Sequence, residues 1–458
     1  MMRLWIGLFV IVLFVLSCSK DEGGEEVILD PPEYVSCDLD GATDVNPGNI
    51  TVTIIYSRIV SLIRPHGITI NNEDVINAKA EYEKVFVDVT LEDATSYVLN
   101  IPAGIVKAYD GSTAEEVNIA FSTKGPVIIK IDSALCVQNS SQQAVNVYNF
   151  LKDNYGKKMI SSTMANVSWN INEAEWVYRH TGKYPAMTTF DYVHLASSPA
   201  NWIDYSVTTI QENWWNENGL IAAGWHWNVP KSEGSSEISF YTDQTSFDAS
   251  NATTDGTWEN DVVKADLEKV AGYLKLLQQK NIPIIWRPLH EAAGNVYNGG
   301  TAWFWWGASG ADAYKNLWHY MFDYFQSQGL NNLIWVWTTQ TKDHEYYPGD
   351  DYVDIVGKDI YGNYDASSIA DLFNAIQVEY PNKMVTLSEC GTVANISSQW
   401  EAGAKWSYFM PWYDYDRTKD VNSADFDLTD HIHASIDWWN DAFNCSYVLT
   451  RDQMPSLK

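Results

Sequence analysis

The chain has 458 residues, more than one compact domain usually holds, so two domains are expected. Its 46% hydrophobic content is enough for packed cores and excludes a chain that is disordered throughout. The 59 acidic and 29 basic residues leave a formal charge of -30, which argues against nucleic acid and anionic headgroups as partners. The 21 Trp and 27 Tyr exceed the 15 Phe. Rings with a polar edge stack well on sugars, so this excess indicates a carbohydrate ligand.

The N-terminus has the pattern of an export signal. Arg3 precedes the uncharged run 4–16, which is shorter than the roughly 20 residues of a membrane-spanning helix. The tripeptide LSC that ends at Cys18 is similar to a bacterial lipobox. We expect residues 1–17 to be a lipoprotein signal peptide and Cys18 to be lipidated, which anchors the chain to a membrane without crossing it. An ordinary secretory signal with an incidental cysteine is the alternative.

Residues 18–28 are an acidic tether. The tether resembles export signals on surface lipoproteins of Bacteroidetes-like bacteria, which predicts an outer-membrane lipoprotein exposed at the cell surface. The remaining cysteines have a spacing that suits no metal site: Cys37, Cys136, Cys390 and Cys445. Whether they pair or remain free thiols is left open by the sequence.

Residues 29–125 alternate between apolar and polar side chains in short runs, at 50–56, 84–90, 97–101 and 117–121. Period-two alternation broken by Asn-Pro-Gly, Asn-Asn and Asp-Gly turns predicts an antiparallel β-sandwich. The segments 40–45, 101–106 and 121–123 resemble a bacterial immunoglobulin-like module. We find no catalytic constellation in it, so we expect a spacer, with a sugar-binding module as the alternative.

From residue 134 to 458 helical stretches alternate with short apolar runs. The helical stretches are 142–155, 261–280, 311–328 and 367–379, and the apolar runs are 158–162, 186–191, 220–227, 283–287, 333–337, 352–361, 384–389 and 406–412. This alternation predicts a parallel sheet, and eight strands predict closure into a (β/α)8 TIM barrel. An open doubly wound sheet is the competitor, but no G-x-G-x-x-G turn follows the first strand.

In such a barrel the chemistry lies at the carboxyl ends of the strands. Glu291 follows the fourth predicted strand and Glu389 ends the seventh, so closing the barrel brings both carboxyl groups to one mouth. Paired carboxyl groups over aromatic rings are what glycoside hydrolysis requires, because one must donate a proton while the other is ionised. A separation of about 5 to 5.5 Å gives retention of configuration and a wider one gives inversion. The sequence does not measure that separation.

The motif WRPLHE at 286–291, followed by WFWWG at 303–307, resembles the acid/base segment of glycoside hydrolase family 26. Residues 354–361 are similar to the strand-six motif of that family and 387–389 to its nucleophile strand. The region of Trp412 resembles its strand-eight platform. The resemblance covers residues 134–449, nearly all of the second domain.

This resemblance implies that Glu291 is the acid/base and Glu389 the nucleophile of a retaining double displacement. It implies a substrate-binding set of His226, His290, Trp303, Trp306, Asp359, Tyr361 and Trp412. Within that set His290 and Tyr361 would also orient the carboxylates, and Trp412 would form the floor of the cleaved subsite. Arg287 is expected to hold a carboxylate from behind. The histidines could instead be core residues, and the rings could simply pack the barrel rim.

Members of the resembled family act mostly on β-1,4-mannans and less often on β-1,3-xylan or mixed-linkage β-glucans. We therefore expect an endo-acting β-mannanase that cleaves mannan, glucomannan or galactomannan, a neutral substrate compatible with an acidic surface. A non-catalytic glycan-binding surface lipoprotein is the alternative from another class. No cofactor and no metal are expected. The expected partners are a neutral β-linked polysaccharide or oligosaccharide, the membrane through the lipid anchor alone, and other glycan-uptake proteins at the surface.

Overall fold

The computed structural model describes residues 30–458. The predicted signal peptide, Cys18 and the acidic tether lie outside these residues. The chain divides into two compact units between Pro126 and Val127. Within the described range no helix is long and apolar enough to cross a membrane.

The N-terminal unit consists of β-strands. They are β1 (Tyr34–Cys37), β2 (Gly48–Tyr56), β3 (Val60–Leu62), β4 (Thr69–Ile70), β5 (Glu73–Asp74), β6 (Asn77–Glu81), β7 (Lys84–Leu91), β8 (Ser96–Ile101), β9 (Val106–Ala108) and β10 (Val117–Ser122). Two four-stranded antiparallel sheets form, in the orders β1-β2-β7-β6 and β10-β8-β4-β5, and β3 pairs with β9. The four predicted strands correspond to β2, β7, β8 and β10.

Both sheets contribute to one apolar core. Val52 and Val85 from the first sheet and Leu99 and Ile119 from the second are fully buried in it. Every second residue of β7 and β8 is buried, as expected for strands with one covered face. The assignment of this unit to the immunoglobulin-like class stays a prediction.

The second unit alternates helices and strands. In chain order they are α1 (Gln142–Asn154), β11 (Met159–Met164), α2 (Asn172–Thr181), β12 (Met187–Asp191), α3 (Thr209–Asn216), β13 (Leu220–Trp225), β14 (Val229–Pro230), β15 (Ile238–Ser239), α4 (Trp258–Gln279), β16 (Ile284–Pro288), α5 (Trp305–Ala308), α6 (Ala311–Ser327), β17 (Leu333–Thr339), β18 (Ile355–Tyr361), α7 (Ala366–Glu379), β19 (Met384–Gly391), α8 (Ile396–Ala402), β20 (Tyr408–Pro411), α9 (Ile436–Asn444) and β21 (Val448–Leu449).

Eight parallel strands close into a barrel. Their order is β12-β13-β16-β17-β18-β19-β20-β11, and β11 pairs with β12 to complete the ring. The predicted eight-stranded barrel is thus confirmed, with every predicted run overlapping an observed strand. All residues of β11, β12, β13, β16 and β17 are buried, because barrel strands are covered on both faces. The loops that follow the strands meet at one mouth.

Helix boundaries differ from the prediction where a cap decides them. Helix α4 begins at Trp258 and not at residue 261, because the Thr257 hydroxyl accepts a hydrogen bond from the backbone N–H of Asn260 at 3.2 Å. Such an N-cap satisfies an amide that the helix itself leaves unpaired. The apolar periodicity predicts that a helix exists but not where its first turn begins.

Candidate active site

Glu389 lies on a bulge in β19. Along β18, Lys358 pairs with Leu387 but the next residue, Asp359, pairs with Glu389, so Ser388 is an extra residue. Gly357 makes room for it, since a Cβ there would lie 2.4 Å from the Ser388 hydroxyl. A bulge bends a strand and redirects the side chains beside it. Here it places Glu389 opposite Asp359 at the mouth of the barrel.

The Glu389 carboxylate is held by two donors. The Arg287 guanidinium donates to Oε2, and the Tyr361 hydroxyl donates to Oε1 at 2.7 Å. Burial raises the pKa of Glu389, while the charge of Arg287 and the hydrogen bond from Tyr361 act against that rise. Burial and the neighbouring carboxylate raise the pKa of Tyr361, so its hydroxyl stays protonated and donates.

Arg287 is itself fixed from the other side. Its Nη1 donates to Oδ2 of Asp359 at 2.8 Å, and the Ser388 hydroxyl donates to Oδ1 of Asp359 at 2.6 Å. The side chain of Asp359 is completely buried. A guanidinium with carboxylates on both sides remains charged and has a single orientation. Arg287 therefore holds Glu389, as the sequence analysis expected of it.

Glu291 follows β16 on a strained turn. Leu289 and Glu291 have φ angles of 48° and 52°, in the left-handed region that costs energy for residues other than glycine. Two hydrogen bonds to backbone carbonyls hold this turn: Tyr314 Oη donates to Leu289 at 3.0 Å and Trp306 Nε1 to His290 at 2.9 Å. The buried rings behind the turn thereby maintain its strained backbone.

The surroundings of Glu291 favour its protonated form. Burial, followed by the negative charges of Asp359 and Glu389, raises its pKa to about 8, although Arg287 and Lys358 oppose the rise. No residue in the range 30–458 donates a hydrogen bond to its carboxyl group. Glu389 thus accepts hydrogen bonds from a guanidinium and a hydroxyl group, whereas Glu291 retains its proton at neutral pH.

Two histidines lie beside the carboxyl groups. Nδ1 of His226 is 2.5 Å from Oδ2 of Asp191, which ends β12, and Nε2 of His226 is 3.1 Å from Nε2 of His290. Burial opposes ionisation of His226, but Asp191 outweighs it and raises the pKa. Burial and the charges of Arg287 and His226 set the pKa of His290 well below its usual range. The carboxylate of Asp191 therefore favours the charged form of His226, whereas the neutral form of His290 is favoured.

Aromatic rings line the exposed part of the mouth. The ring of Trp412 lies 5.7 Å from that of His226, and Trp303 and Tyr361 are each 44% exposed. Gly294 makes room for Trp303, because a Cβ there would lie 2.3 Å from its indole. Four of the predicted substrate contacts, His226, Trp303, Tyr361 and Trp412, therefore retain surface at the mouth.

The structure corrects other predicted sugar contacts. Trp306 is fully buried in α5, which packs against the barrel, and its Nε1–H donates to the His290 carbonyl. Asp359 has no exposed side-chain surface, and both its oxygens accept hydrogen bonds. His290 is only 2% exposed. These three residues support the site from behind, because their side chains are covered and leave little or no surface for a ligand.

Sequence reasoning missed three residues of the site: Asp191, Gly391 and His433. Asp191 orients His226 and could have been found, since it is a polar residue at the end of a predicted strand. Gly391 carries no such signal: a Cβ there would lie 2.4 Å from Nδ1 of His433 and 2.7 Å from the ring of Tyr361. The absence of a side chain at Gly391 lets these two rings approach, with centroids 5.7 Å apart.

The loop that carries His433 follows β20 and is anchored below the surface. Nε2 of His431 lies 2.7 Å from Oε1 of Glu173 on α2, and both side chains are buried. Nδ1 of His431 accepts hydrogen bonds from the backbone N–H groups of His433 and Ala434 at 3.1 and 3.0 Å. Nδ1 of His431 is therefore the acceptor of both backbone hydrogen bonds. This arrangement fixes the position of His433 beside Tyr361.

The site contains no metal-binding arrangement. Across residues 30–458, no group of three or more His, Cys, Asp or Glu side chains is placed to hold a metal ion. The four cysteines of that range are free thiols. Cys390, next to Glu389, is buried, and burial raises the pKa of its thiol. It remains a neutral packing residue beside the carboxylate.

A parallel barrel whose mouth presents a protonated carboxyl group, a separately held carboxylate and exposed aromatic rings has the composition of a glycoside hydrolase. The family model for glycosyl hydrolase family 26 matches residues 137–452. The chain belongs to this family and is an enzyme of the glycoside hydrolase class.

Similar proteins include characterised enzymes. The chain is 30% identical over 443 residues to mannan endo-1,4-beta-mannosidase B of Piromyces sp, covering 90% of this chain and 72% of the relative. It is 28% identical over 391 residues to the mannan endo-1,4-beta-mannosidase of Thermothelomyces thermophilus, covering 80% and 75%.

Solved structures show the same fold. The family 26 domain of an endo-beta-mannanase/endo-beta-glucanase from Prevotella bryantii is 38% identical, with a TM-score of 0.65, covering 70% of this chain and 99% of that domain. The beta-mannanase from a symbiotic protist of the termite Reticulitermes speratus, complexed with gluco-manno-oligosaccharide, is 33% identical. Its TM-score is 0.61 over 71% of this chain and 99% of that one.

Proposed function

We propose that this protein is an endo-acting β-1,4-mannanase that cleaves mannan, glucomannan or galactomannan with retention of configuration. The observation that carries the proposal is the difference between the two carboxyl environments. Glu389 accepts hydrogen bonds from Arg287 and Tyr361, whereas Glu291 has a pKa of about 8 and no donor among residues 30–458. An ionised nucleophile and a protonated acid are what the first step of a double displacement requires.

In that first step Glu389 attacks the anomeric carbon while Glu291 transfers its proton to the leaving glycosidic oxygen. A covalent glycosyl-enzyme forms, and the negative charge of Glu389 is lost in the new bond. That charge is one of the causes that raise the pKa of Glu291, so the pKa of Glu291 falls in the intermediate. Glu291 is then the base that accepts a proton from the incoming water, and water restores the Glu389 carboxylate.

Retention is supported by the match to glycosyl hydrolase family 26, since the resemblance to that family implies a double displacement. The choice of mannan is supported by the named activity of the relatives. The formal net charge of -30 is compatible with a neutral polymer.

Reducing-sugar release tests this function. Wild type, Glu389→Ala and Glu291→Ala are compared on mannan, glucomannan, galactomannan, β-1,3-xylan and mixed-linkage glucan. We expect wild type to cleave the first three, with a rapid fall in viscosity, and both variants to lose activity. Proton NMR of the first product should show the β-anomer. An α-anomer, or unchanged hydrolysis by Glu389→Ala, contradicts the mechanism.

Failure of wild type on every glycan, combined with retention of the protein on a mannan column, supports the binding lipoprotein instead. The two matched carboxyl groups argue against that role, because a pure binder has no use for a proton donor beside an ionised nucleophile. Hydrolysis of β-1,3-xylan or mixed-linkage glucan alone preserves the mechanism and replaces the substrate.

We also propose that Cys18 is lipidated and that the protein is held at the outer surface of the cell envelope. The N-terminal unit, as an immunoglobulin-like spacer, would hold the barrel away from the membrane. The support is the LSC tripeptide after an apolar run and the acidic tether that follows. Membrane fractionation of cells that produce wild type or Cys18→Ala tests it, with surface protease accessibility as the second readout. Release of the variant into the soluble fraction is expected, and equal distribution of both contradicts it.

A further inference from the structure

Trp202 is an exposed indole that the proposed reaction does not use. Most tryptophans of the described residues are buried, and the two largest exposed fractions belong to Trp202, at 50%, and Trp303, at 44%. Trp303 already belongs to the mouth of the barrel. An indole that is left in water while nearly all others are buried indicates a binding surface, because its burial by a ligand is favourable.

Trp202 lies at the same mouth as the carboxyl groups. It belongs to the loop between β12 and α3, which follows the carboxyl end of a barrel strand. Two contacts connect this loop to the site. The carboxylate of Asp191, at the end of β12, is hydrogen-bonded to the ring of His226. Nδ2 of Asn228 donates a hydrogen bond to the Val193 carbonyl at 2.8 Å.

His194, on the same loop, contacts Trp202 directly. The centroids of the two rings are 4.5 Å apart, in an edge-on arrangement. Trp202 follows β12 and Trp412 follows β20, so both lie on loops at the carboxyl ends of barrel strands and belong to the same rim.

The turn that carries Trp202 is closed by backbone hydrogen bonds. Ala200 and Ile203 exchange backbone hydrogen bonds of 2.6 and 3.2 Å, which leaves Asn201 and Trp202 exposed at the turn between them. Ile203 is 3% exposed and anchors the turn in the core. A ring presented on an anchored turn loses little conformational entropy when it binds a ligand.

We propose that Trp202, supported by His194 and flanked by Asn201, forms a distal subsite for a neutral sugar unit of the polysaccharide, beyond the units at the cleavage point. This inference rests on the proposed function, since its ligand is another part of the same polymer. An exposed indole stacks on the apolar face of a pyranose, and an amide beside it donates to and accepts from hydroxyl groups. Burial lowers the pKa of His194, so the supporting ring is neutral and suits an uncharged sugar.

The test is a length series of β-1,4-linked manno-oligosaccharides, from trimer to hexamer, together with mannan. Wild type, Trp202→Ala and Trp202→Phe are compared as full chains. We expect Trp202→Ala to leave kcat/KM on the trimer unchanged and to lower it about tenfold on the hexamer and the polymer, mainly through KM. Trp202→Phe should recover part of the loss, because it retains a stacking ring.

Val207→Ala is the matched control. Val207 is an exposed apolar residue of the same loop, 52% exposed, and it has no ring to stack. It should behave as wild type on every length. An equal effect of Trp202→Ala on all lengths, or no effect on any, overturns the subsite.

A wrong substrate assignment can be distinguished from a wrong subsite assignment. If wild type cleaves another β-glycan and not mannan, the same series is run with oligosaccharides of that glycan, and the same length dependence supports the subsite. If wild type cleaves none, calorimetric binding of the hexamer replaces kinetics. Weaker binding by Trp202→Ala than by Val207→Ala then supports the subsite, and equal binding overturns it.

Discussion

The ends of strands β16 and β19 place the same functional group in two different surroundings. On β19 the bulge at Ser388 brings Glu389 between Arg287 and Tyr361, which donate hydrogen bonds to it. At the end of β16 a strained turn leaves Glu291 half-buried and without such donors in the described structure, and its pKa rises to about 8. The contrast shows that the surroundings, and not the residue type, separate the nucleophile from the acid.

The largest loss of activity is expected when Glu389, the ionised member of the pair, is replaced. Glu389→Gln keeps the shape of the side chain but cannot attack, so kcat should fall on the order of 10⁴-fold on mannan. Glu389→Ala should lose as much activity and also stability, because it leaves the buried Nη2 of Arg287 without its carboxylate acceptor. Thermal unfolding separates the two effects. Activity of Glu389→Gln within tenfold of wild type contradicts the assignment.

Removing the proton donor comes next. Glu291→Gln cannot protonate the leaving oxygen, so kcat should fall on the order of 10² to 10⁴-fold on mannan. A substrate with a good leaving group, such as an aryl mannobioside, needs less help from an acid, and the loss in its first step should be much smaller. Equal losses on both substrates contradict the role of Glu291 as the acid.

Tyr361→Phe removes one donor from Glu389 and retains the ring. A hydrogen bond to a charged group contributes about 1.5–3 kcal/mol, so kcat should fall roughly ten- to hundredfold. The acid limb of the pH profile should also move to higher pH, since the hydrogen bond acts against the raised pKa of Glu389. A loss confined to KM would assign Tyr361 to sugar binding alone.

Gly391→Ala tests whether packing positions Tyr361. The added Cβ would collide with His433 and with the Tyr361 ring, so the hydroxyl should move off Glu389 and kcat should fall about tenfold or less. The informative measurement is the double variant Gly391→Ala/Tyr361→Phe. If Gly391 acts through the hydroxyl, it should be scarcely slower than Tyr361→Phe. Fully additive losses contradict this positioning.

The smallest expected effect is a change in the shape of the profile of kcat/KM against pH. This profile compares the two carboxyl groups directly. Since Glu291 must be protonated for the first step, kcat/KM of wild type should decline as pH rises through about 8. The residual activity of Glu291→Gln should lack this alkaline limb and retain the acid limb set by Glu389. An alkaline limb that survives in Glu291→Gln assigns it to another group, for which His226 is the nearest candidate.

Much of this architecture was predictable from local patterns. Eight apolar runs separated by helical stretches predicted the barrel, and all eight overlap observed strands. The end-of-strand rule then selected Glu291 and Glu389 and placed them at one mouth. The resemblance also implied Trp306 and Asp359 as sugar contacts, but a motif does not report whether a side chain is covered, and both are buried.

The sequence by itself determined the class of fold, the strands and the chemical types available at their ends, because these depend on periodicity and on residues near in the chain. The motif resemblance implied that Glu291 is the acid, but only the tertiary structure supplies the physical reason why its proton is retained. That depends on residues brought together from distant segments: the bulge in β19, Arg287 from β16, and the approach of Tyr361 and His433 over Gly391. Burial and charge act through space, and spacing along the chain does not report them.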